Sequence, residues 1–273
     1  MNKQQTIEKT KLPDVKNIII VASGKGGVGK STVAAGLALS LAMEGYATGL
    51  FDADLYGPSV PVLFNLQNER PAAHEENGKT RIEPFVRLGI KLMSLGFFID
   101  SKQAVLWRGP LASNTLKQLI NDTDWGSLDY LIIDTPPGTG DIHITLLQQY
   151  EINGVIVVTT PQHIALADVE KTISMYRDEH VGAPVLGIVE NMSWFTPSKH
   201  PDEKYFLFGR DGGKKLAETF QVPLLSQIPM DETICSSCDG GRLDELFTNP
   251  GVRSGFDALL KTITHKSSMN VTH

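Results

Sequence analysis

Cysteine is nearly absent from this chain. Among 273 residues there are two, Cys235 and Cys238. A small disulfide-stapled fold is thereby excluded, because such scaffolds depend on several bridges. Long apolar runs are missing as well. None approaches the ~18 residues of a membrane-spanning helix, so no membrane partner is expected. The opening stretch MNKQQTIEKTKLPDVK is polar and lacks the apolar centre of an export signal. Few thiols and no such signal lead to the expectation of a cytoplasmic protein in a reducing compartment. Charge of either sign is in modest excess only, at a formal −6. Nucleic-acid binders present a basic face, so no nucleic-acid partner is expected. Internal repeats and low-complexity tracts are absent from the sequence.

What is present is apolar residue in short bursts. Hydrophobic residues make up 41% of the chain, enough for a buried core. Six runs read as strands: NIIIVA (17–22), ATGLF (47–51), IKLMSL (90–95), DYLIID (129–134), GVIVVT (154–159) and VLGIVE (185–190). Several are almost unbroken in Val, Ile and Leu, the pattern of strands buried on both faces of a parallel sheet. Helix-like segments lie between them: STVAAGLALSLAMEG, LASNTLKQLIN, IHITLLQQY, ALADVEKTISMYRDEH and GGKKLAETF. This alternation predicts an α/β domain of three layers, with a doubly wound, mainly parallel sheet. The expected organisation is an N-terminal tail over 1–16, one domain over 17–265 and a polar tail over 266–273. Residues 67–83 read as a polar excursion, and 196–204 as a Pro-rich loop.

SGKGGVGKST, residues 23–32, fits the phosphate-loop pattern G-x-x-x-x-G-K-[ST], with a strand before it and a helix after it. Gly24, Gly26, Gly27, Val28 and Gly29 supply a backbone that turns its N–H groups inward around phosphates. The helix N-terminus adds its positive dipole end. Lys30 is expected to neutralise the β- and γ-phosphates of ATP, and the Ser31 hydroxyl to ligate magnesium. Thr32 is placed to donate to the α-phosphate. Lys25 is more than such a loop needs. It is either a solvated surface lysine or one that reaches a nucleotide held by a second subunit.

Phosphoryl transfer also requires a held metal and an oriented water. Two acidic stretches follow apolar runs, LFDADLYGPS (50–59) and LIIDTPPGTGD (131–141). Asp134 is the candidate magnesium carboxylate, acting directly or through water, and PPGTGD is a candidate switch loop with Gly138 and Gly140 as hinges. Asp52 and Asp54 are two apart, so on an extended strand end they point the same way. Asp54 is the candidate for orienting water, with Asp52 nearer the metal. His143, His163 and His180 stand apart from any acid–base constellation and read as ordinary core or surface residues.

DETICSSCDGG (231–241) reads as a helix capped by Asp231 or Thr233 and ended by Gly240-Gly241. On such a helix Cys235 and Cys238 share a face. Three readings stand: core packing, ligands to a metal or iron–sulfur cluster completed by a twofold partner, or a redox pair.

SGKGGVGKST with its extra Lys25, DADLYGPS and IIDTPPGTGD together resemble the Mrp/Nbp iron–sulfur cluster carrier ATPases, within the deviant-Walker-A group that includes MinD and ParA. The likeness continues through GVIVVTTPQ, GIVENMSWF and SQIPMDETI, over roughly residues 15–265. It implies an ATP-dependent homodimer with two nucleotides sandwiched at the interface. It implies that Lys25 crosses to the partner's phosphates and that Asp54 is the switch residue needed for hydrolysis. Asn191 would read the adenine edge, with Pro229 and Met230 lining the base. An iron–sulfur cluster bridged between subunits would be passed to apo iron–sulfur proteins, and hydrolysis would be slow without a partner. Two departures stand out. Thr196-Pro197-Ser198-Lys199 occupies the place where many carriers have a Cys-x-x-Cys, and the extra N-terminal domain of many relatives has no counterpart here. The alternative reading is a MinD- or ParA-like positioning ATPase without a cluster.

Overall fold

A computed structural model describes residues 9–98, 109–162 and 166–269. The elements run β1 (Val15–Ala22), α1 (Lys30–Met43), β2 (Thr48–Asp52), α2 (Val60–Leu63), β3 (Ala73–Glu76), β4 (Lys79–Ile82), β5 (Phe85–Arg87), β6 (Ile90–Ser94), α3 (Pro110–Asp122), β7 (Leu128–Asp134), α4 (Asp141–Gln149), β8 (Gly154–Thr159), α5 (Leu166–Tyr176), β9 (Val185–Phe195), α6 (Gly212–Phe220), β10 (Leu224–Met230), α7 (Glu232–Asp239) and α8 (Pro250–Met269). Eight strands make one sheet in the order β10-β9-β8-β1-β7-β2-β6-β5. Every neighbouring pair is parallel except β5 with β6.

This order sets the layers. The chain passes from β1 to β2 in one direction along the sheet, and from β7 through β8 and β9 to β10 in the other. Right-handed crossovers then place α1 on one face and α3 to α6 on the opposite one. The contacts agree: α1 packs with α2 and α8, while α3 packs with α4 and α5 with α6. The predicted doubly wound α/β architecture is therefore the observed one. Its central strands read as apolar runs because helices cover both of their faces, and β2 and β8 are buried at every residue.

Register aligns the chemistry. Val21 and Asp52 both pair with Asp134, so β1, β2 and β7 end level with one another. The loops that leave these ends share one crevice, where parallel sheets of this kind place ligands. α1 is buried along most of its length, which explains why it is rich in small and apolar residues rather than striped. Its Gly36 admits the ring of Phe256 from α8 to within the space a Cβ would fill.

Several elements depart from the sequence reading. The polar stretch 67–83 contains the antiparallel hairpin β3–β4, turned at Asn77-Gly78 with both residues at positive φ. That dipeptide is a hairpin signal in its own right. β10 was not among the expected strands, because Ser226, Gln227 and Pro229 interrupt its apolar pattern. Ahead of residue 17, Thr10 pairs with Tyr150 and Leu12 is buried. α8 continues past residue 265 to Met269.

Candidate functional site

The segment between β1 and α1 curls because Gly27 and Gly29 both adopt φ +77°, a region closed to most side chains. Gly29 caps α1, so the first-turn N–H groups of that helix point into the curl without helical partners. Two of the loop glycines are also fixed by neighbours. A Cβ on Gly24 would lie 2.5 Å from the carbonyl carbon of Asp168 in α5, and one on Gly29 would run into the Asn191 amide. The result is a hollow of about 290 Å³ lined by Ser23, Lys25, Lys30, Ser31, Asp54 and Pro137, among others.

Its floor is an ion pair. Lys30 is 7% exposed, and its Nζ lies 2.5 Å from Oδ1 of the fully buried Asp134 and 3.4 Å from the Ser31 hydroxyl. Burial pushes the Asp134 carboxyl upward, while Lys30 and then Ser31 oppose the shift. The second carboxylate oxygen, Oδ2, is buried with no hydrogen-bond partner among the described residues. An orphaned buried carboxylate oxygen costs on the order of 1–3 kcal/mol or more. With the Ser31 hydroxyl close by, this donor set is all oxygen, which suits magnesium. The residues therefore fit the metal that a phosphate loop implies.

The two carboxylates after β2 are held differently. Asp52 is fully buried, and its Oδ1 accepts from the Asp54 N–H at 3.0 Å. Its Oδ2 accepts from the Val60 N–H at 3.0 Å and from the Ser94 hydroxyl at 3.2 Å. Burial, reinforced by Asp134, raises its pKa to about 7. Asp52 thus anchors the loop that carries Asp54. Asp54 lies past the strand end, so the strand-alternation argument for a common direction does not apply to it. Its Oδ1 accepts from the N–H groups of Tyr56 and Gly57, at 3.1 Å each, and it borders the phosphate hollow.

Lys25 is tied within its own chain, donating from Nζ to Gln162 Oε1 at 2.9 Å. Asn191 is buried and donates from Nδ2 to the Val28 carbonyl at 2.9 Å, bracing the phosphate loop from β9. Pro229 and Met230 line a second hollow of about 690 Å³, together with Trp194, Phe195, Thr196, Pro197 and Ser198. Thr196, Pro197 and Ser198 are therefore neighbours of the segment expected to line the base. Lys204 stacks over Trp194, 4.0 Å from the ring centre, at this hollow's wall.

α7 has the expected cap, with the Thr233 N–H donating to Asp231 Oδ1 at 2.8 Å, and it ends at Gly240. Its two thiols are not equivalent. Cys235 is exposed and donates to Asp239 Oδ2 at 3.5 Å. Cys238 is 8% exposed, with Sγ 3.9 Å from the hydroxyl of Thr32 in α1. The hydrogen bond to Asp239 raises the Cys235 pKa, and burial raises that of Cys238. No group of three or more His, Cys, Asp or Glu suited to a metal ion occurs among the described residues. A single chain therefore presents two thiols at most.

Sequence reasoning missed several contributors. Pro137 lies in the candidate switch loop PPGTGD and Gln162 at the end of GVIVVTTPQ, but neither stands out by itself. His143 reads as isolated but is fully buried and makes two hydrogen bonds. His180 is exposed, and His163 lies outside the described residues. No helix among the described residues is long and apolar enough to cross a membrane.

Comparison with known proteins gives the same picture. An iron-sulfur cluster carrier protein of Aquifex aeolicus is 47% identical over 240 residues, covering 87% of this chain. The chain spans 64% of that relative's length. A nucleotide-binding protein of Archaeoglobus fulgidus, solved in complex with ADP, superposes with TM-score 0.76 at 38% identity, covering 90% of this chain and 93% of that one. The septum site-determining protein MinD of Pyrococcus horikoshii, complexed with Mg-ADP, shares the fold with TM-score 0.64 at 19% identity, covering 94% and 99%. Residues 14–264 match the ParA-type family described as NUBPL iron-transfer P-loop NTPase, and the chain belongs to that family.

Proposed function

We propose that this chain binds and hydrolyses ATP as a nucleotide-sandwich homodimer, and carries an iron–sulfur cluster to apo iron–sulfur proteins. The observation that carries the ATPase reading is the buried Lys30–Asp134 pair with its unsatisfied Asp134 Oδ2 beside Ser31. In this reading Ser31 and Asp134 hold magnesium, which when bound neutralises phosphate charge. Lys30 takes the β- and γ-phosphates and leaves Asp134 to do so. The N–H groups of the glycine curl and of the first turn of α1 cradle the chain of phosphates, with Thr32 at the α-phosphate. Asp54, on a loop anchored by Asp52, orients the attacking water. Lys25 exchanges Gln162 for the partner subunit's phosphates. Asn191 and Pro229 serve the base.

The cargo reading is supported by the family and by the name of the Aquifex relative. The thiols available to a cluster are Cys235 and Cys238, and two copies of the chain would supply four. Turnover is slow until a partner closes the site.

Phosphate release from magnesium-ATP tests the reading. Lys30→Ala is expected to abolish binding or turnover, and Lys25→Ala to lower turnover chiefly. Wild-type turnover in both variants would overturn the site assignment.

A further inference from the structure

One buried polar group near the site has no part in the functions above. His143, the third residue of α4, is fully buried. Its Nε2 lies 3.0 Å from the Pro136 carbonyl oxygen, and its Nδ1 lies 2.7 Å from the Tyr176 hydroxyl. A carbonyl only accepts, so Nε2 carries the hydrogen. Nδ1 is then a lone-pair acceptor and the phenol donates to it. Tyr176, the last residue of α5, is itself fully buried. The ring is neutral in this setting, because burial pushes its pKa down to about 4.

The carbonyl that His143 holds is well chosen. Pro136 and Pro137 have no N–H, so this stretch has few ways to fix itself. Its other tethers run to β1 and the residue after it. Thr135 donates to the Val21 carbonyl, and the Gly138 N–H donates to the Ser23 carbonyl at 2.8 Å. Between those two points, the hydrogen bond that holds the Pro136 carbonyl among the described residues is the one from His143. Pro137, next in line, borders the phosphate hollow, and Asp134 lies two residues before Pro136. Tyr176 closes α5, and the opposite end of that helix, at Asp168, lies with its backbone against Gly24 of the phosphate loop.

We propose that His143 is a positioning residue for ATP hydrolysis: oriented by Tyr176, it holds the Pro136 carbonyl and so couples the loop after Asp134 to α5, which abuts the phosphate loop. His143 touches neither nucleotide nor water. It acts by keeping Asp134 and Pro137 in place when the γ-phosphate arrives or leaves.

The proposal rests on the ATPase reading, and the test separates the two. Magnesium-ATP turnover is measured in the full chain for the wild type, His143→Leu, His143→Gln and Tyr176→Phe. An amide offers both a donor and an acceptor, as the neutral imidazole does, whereas leucine offers neither. His143→Leu is expected to lower kcat about tenfold with KM changed less than about threefold, since misplacement near a reacting centre acts on turnover. His143→Gln is expected to recover most of the loss, and Tyr176→Phe to fall between them. ¹⁵N spectra of the wild type are expected to show His143 neutral with hydrogen on Nε2. Wild-type kcat in His143→Leu, or glutamine no better than leucine in a folded protein, would overturn the proposal. If His143→Leu does not fold, wild-type kcat in Tyr176→Phe overturns it. A wild type without turnover sinks the ATPase reading instead, and the tautomer then decides the relay: hydrogen on Nδ1 would refute it.

Discussion

Lys25 Nζ and Gln162 Oε1 are 2.9 Å apart, so the additional lysine of the phosphate loop is held by its own chain. If Lys25 serves the partner's phosphates, dimerisation must break this bond. A partly exposed hydrogen bond of this kind is worth about 1 kcal/mol, or about fivefold in an equilibrium. A twofold dimer breaks two such bonds, so Gln162→Ala is expected to strengthen ATP-dependent dimerisation by up to about 25-fold in sedimentation velocity, while Lys25→Ala weakens it. Weaker dimerisation of Gln162→Ala would show that the contact supports the interface.

Gly27 and Gly29 share φ +77° but not their surroundings. A Cβ at 27 meets nothing within 4 Å, whereas one at 29 collides with the Asn191 amide. Gly27→Ala is expected to cost about 1 kcal/mol, the backbone term alone. Gly29→Ala is expected to cost more, about 2–3 kcal/mol, because Asn191 must also give up its bond to Val28. Urea unfolding of both variants checks the difference, and equal losses would show that Asn191 yields freely.

The buried His143 gives stability a pH dependence with a definite sign. Its folded pKa, about 4, lies below the unfolded value of 6.5. Between these values the unfolded chain binds more protons, so stability falls as pH falls through that window. The loss amounts to about 3 kcal/mol if the shift is fully expressed. Asp52, with its pKa raised to about 7, acts in the opposite sense over the same window, so His143→Gln is expected to shift the change in unfolding free energy from pH 6.5 to 4 upward by up to about 3 kcal/mol relative to the wild type. An unchanged slope would mean that the ring is protonated in place.

The two thiols should report on any cluster. Cys235 is exposed and Cys238 buried, so maleimide is expected to label Cys235 first in the apo chain. Anaerobic reconstitution with iron and sulfide is expected to give a visible absorption band, protection of both thiols, and loss of both signals in Cys235→Ala/Cys238→Ala. Bound iron and sulfide in the double variant would move the cargo site elsewhere. No cluster in the wild type would leave an ATP-driven switch without this cargo.

The parts of the fold that are legible in sequence are those governed by a single cause. β1, β7 and β8 are covered on both faces, and their runs of Val, Ile and Leu say so. The phosphate loop is legible because its glycine spacing has one purpose. β10 is not, since Pro229 and Gln227 answer to the second hollow and to Glu190 as well as to the sheet. Asp52 and Asp54 look alike in sequence. Their division into loop anchor and hollow lining depends on where the chain leaves β2. His143 looks isolated because its partners, Pro136 and Tyr176, are brought to it by α4 and α5, and neither spacing carries a motif.

Phe256 fills the space left by Gly36, so α8 forms the back wall of the helix that bears the phosphate loop. The loop is made early in the chain and its support late. The helix behind the phosphate loop thus takes its seating from a segment more than two hundred residues away in sequence, so the geometry of the loop is a property of the closed fold and not of its local motif.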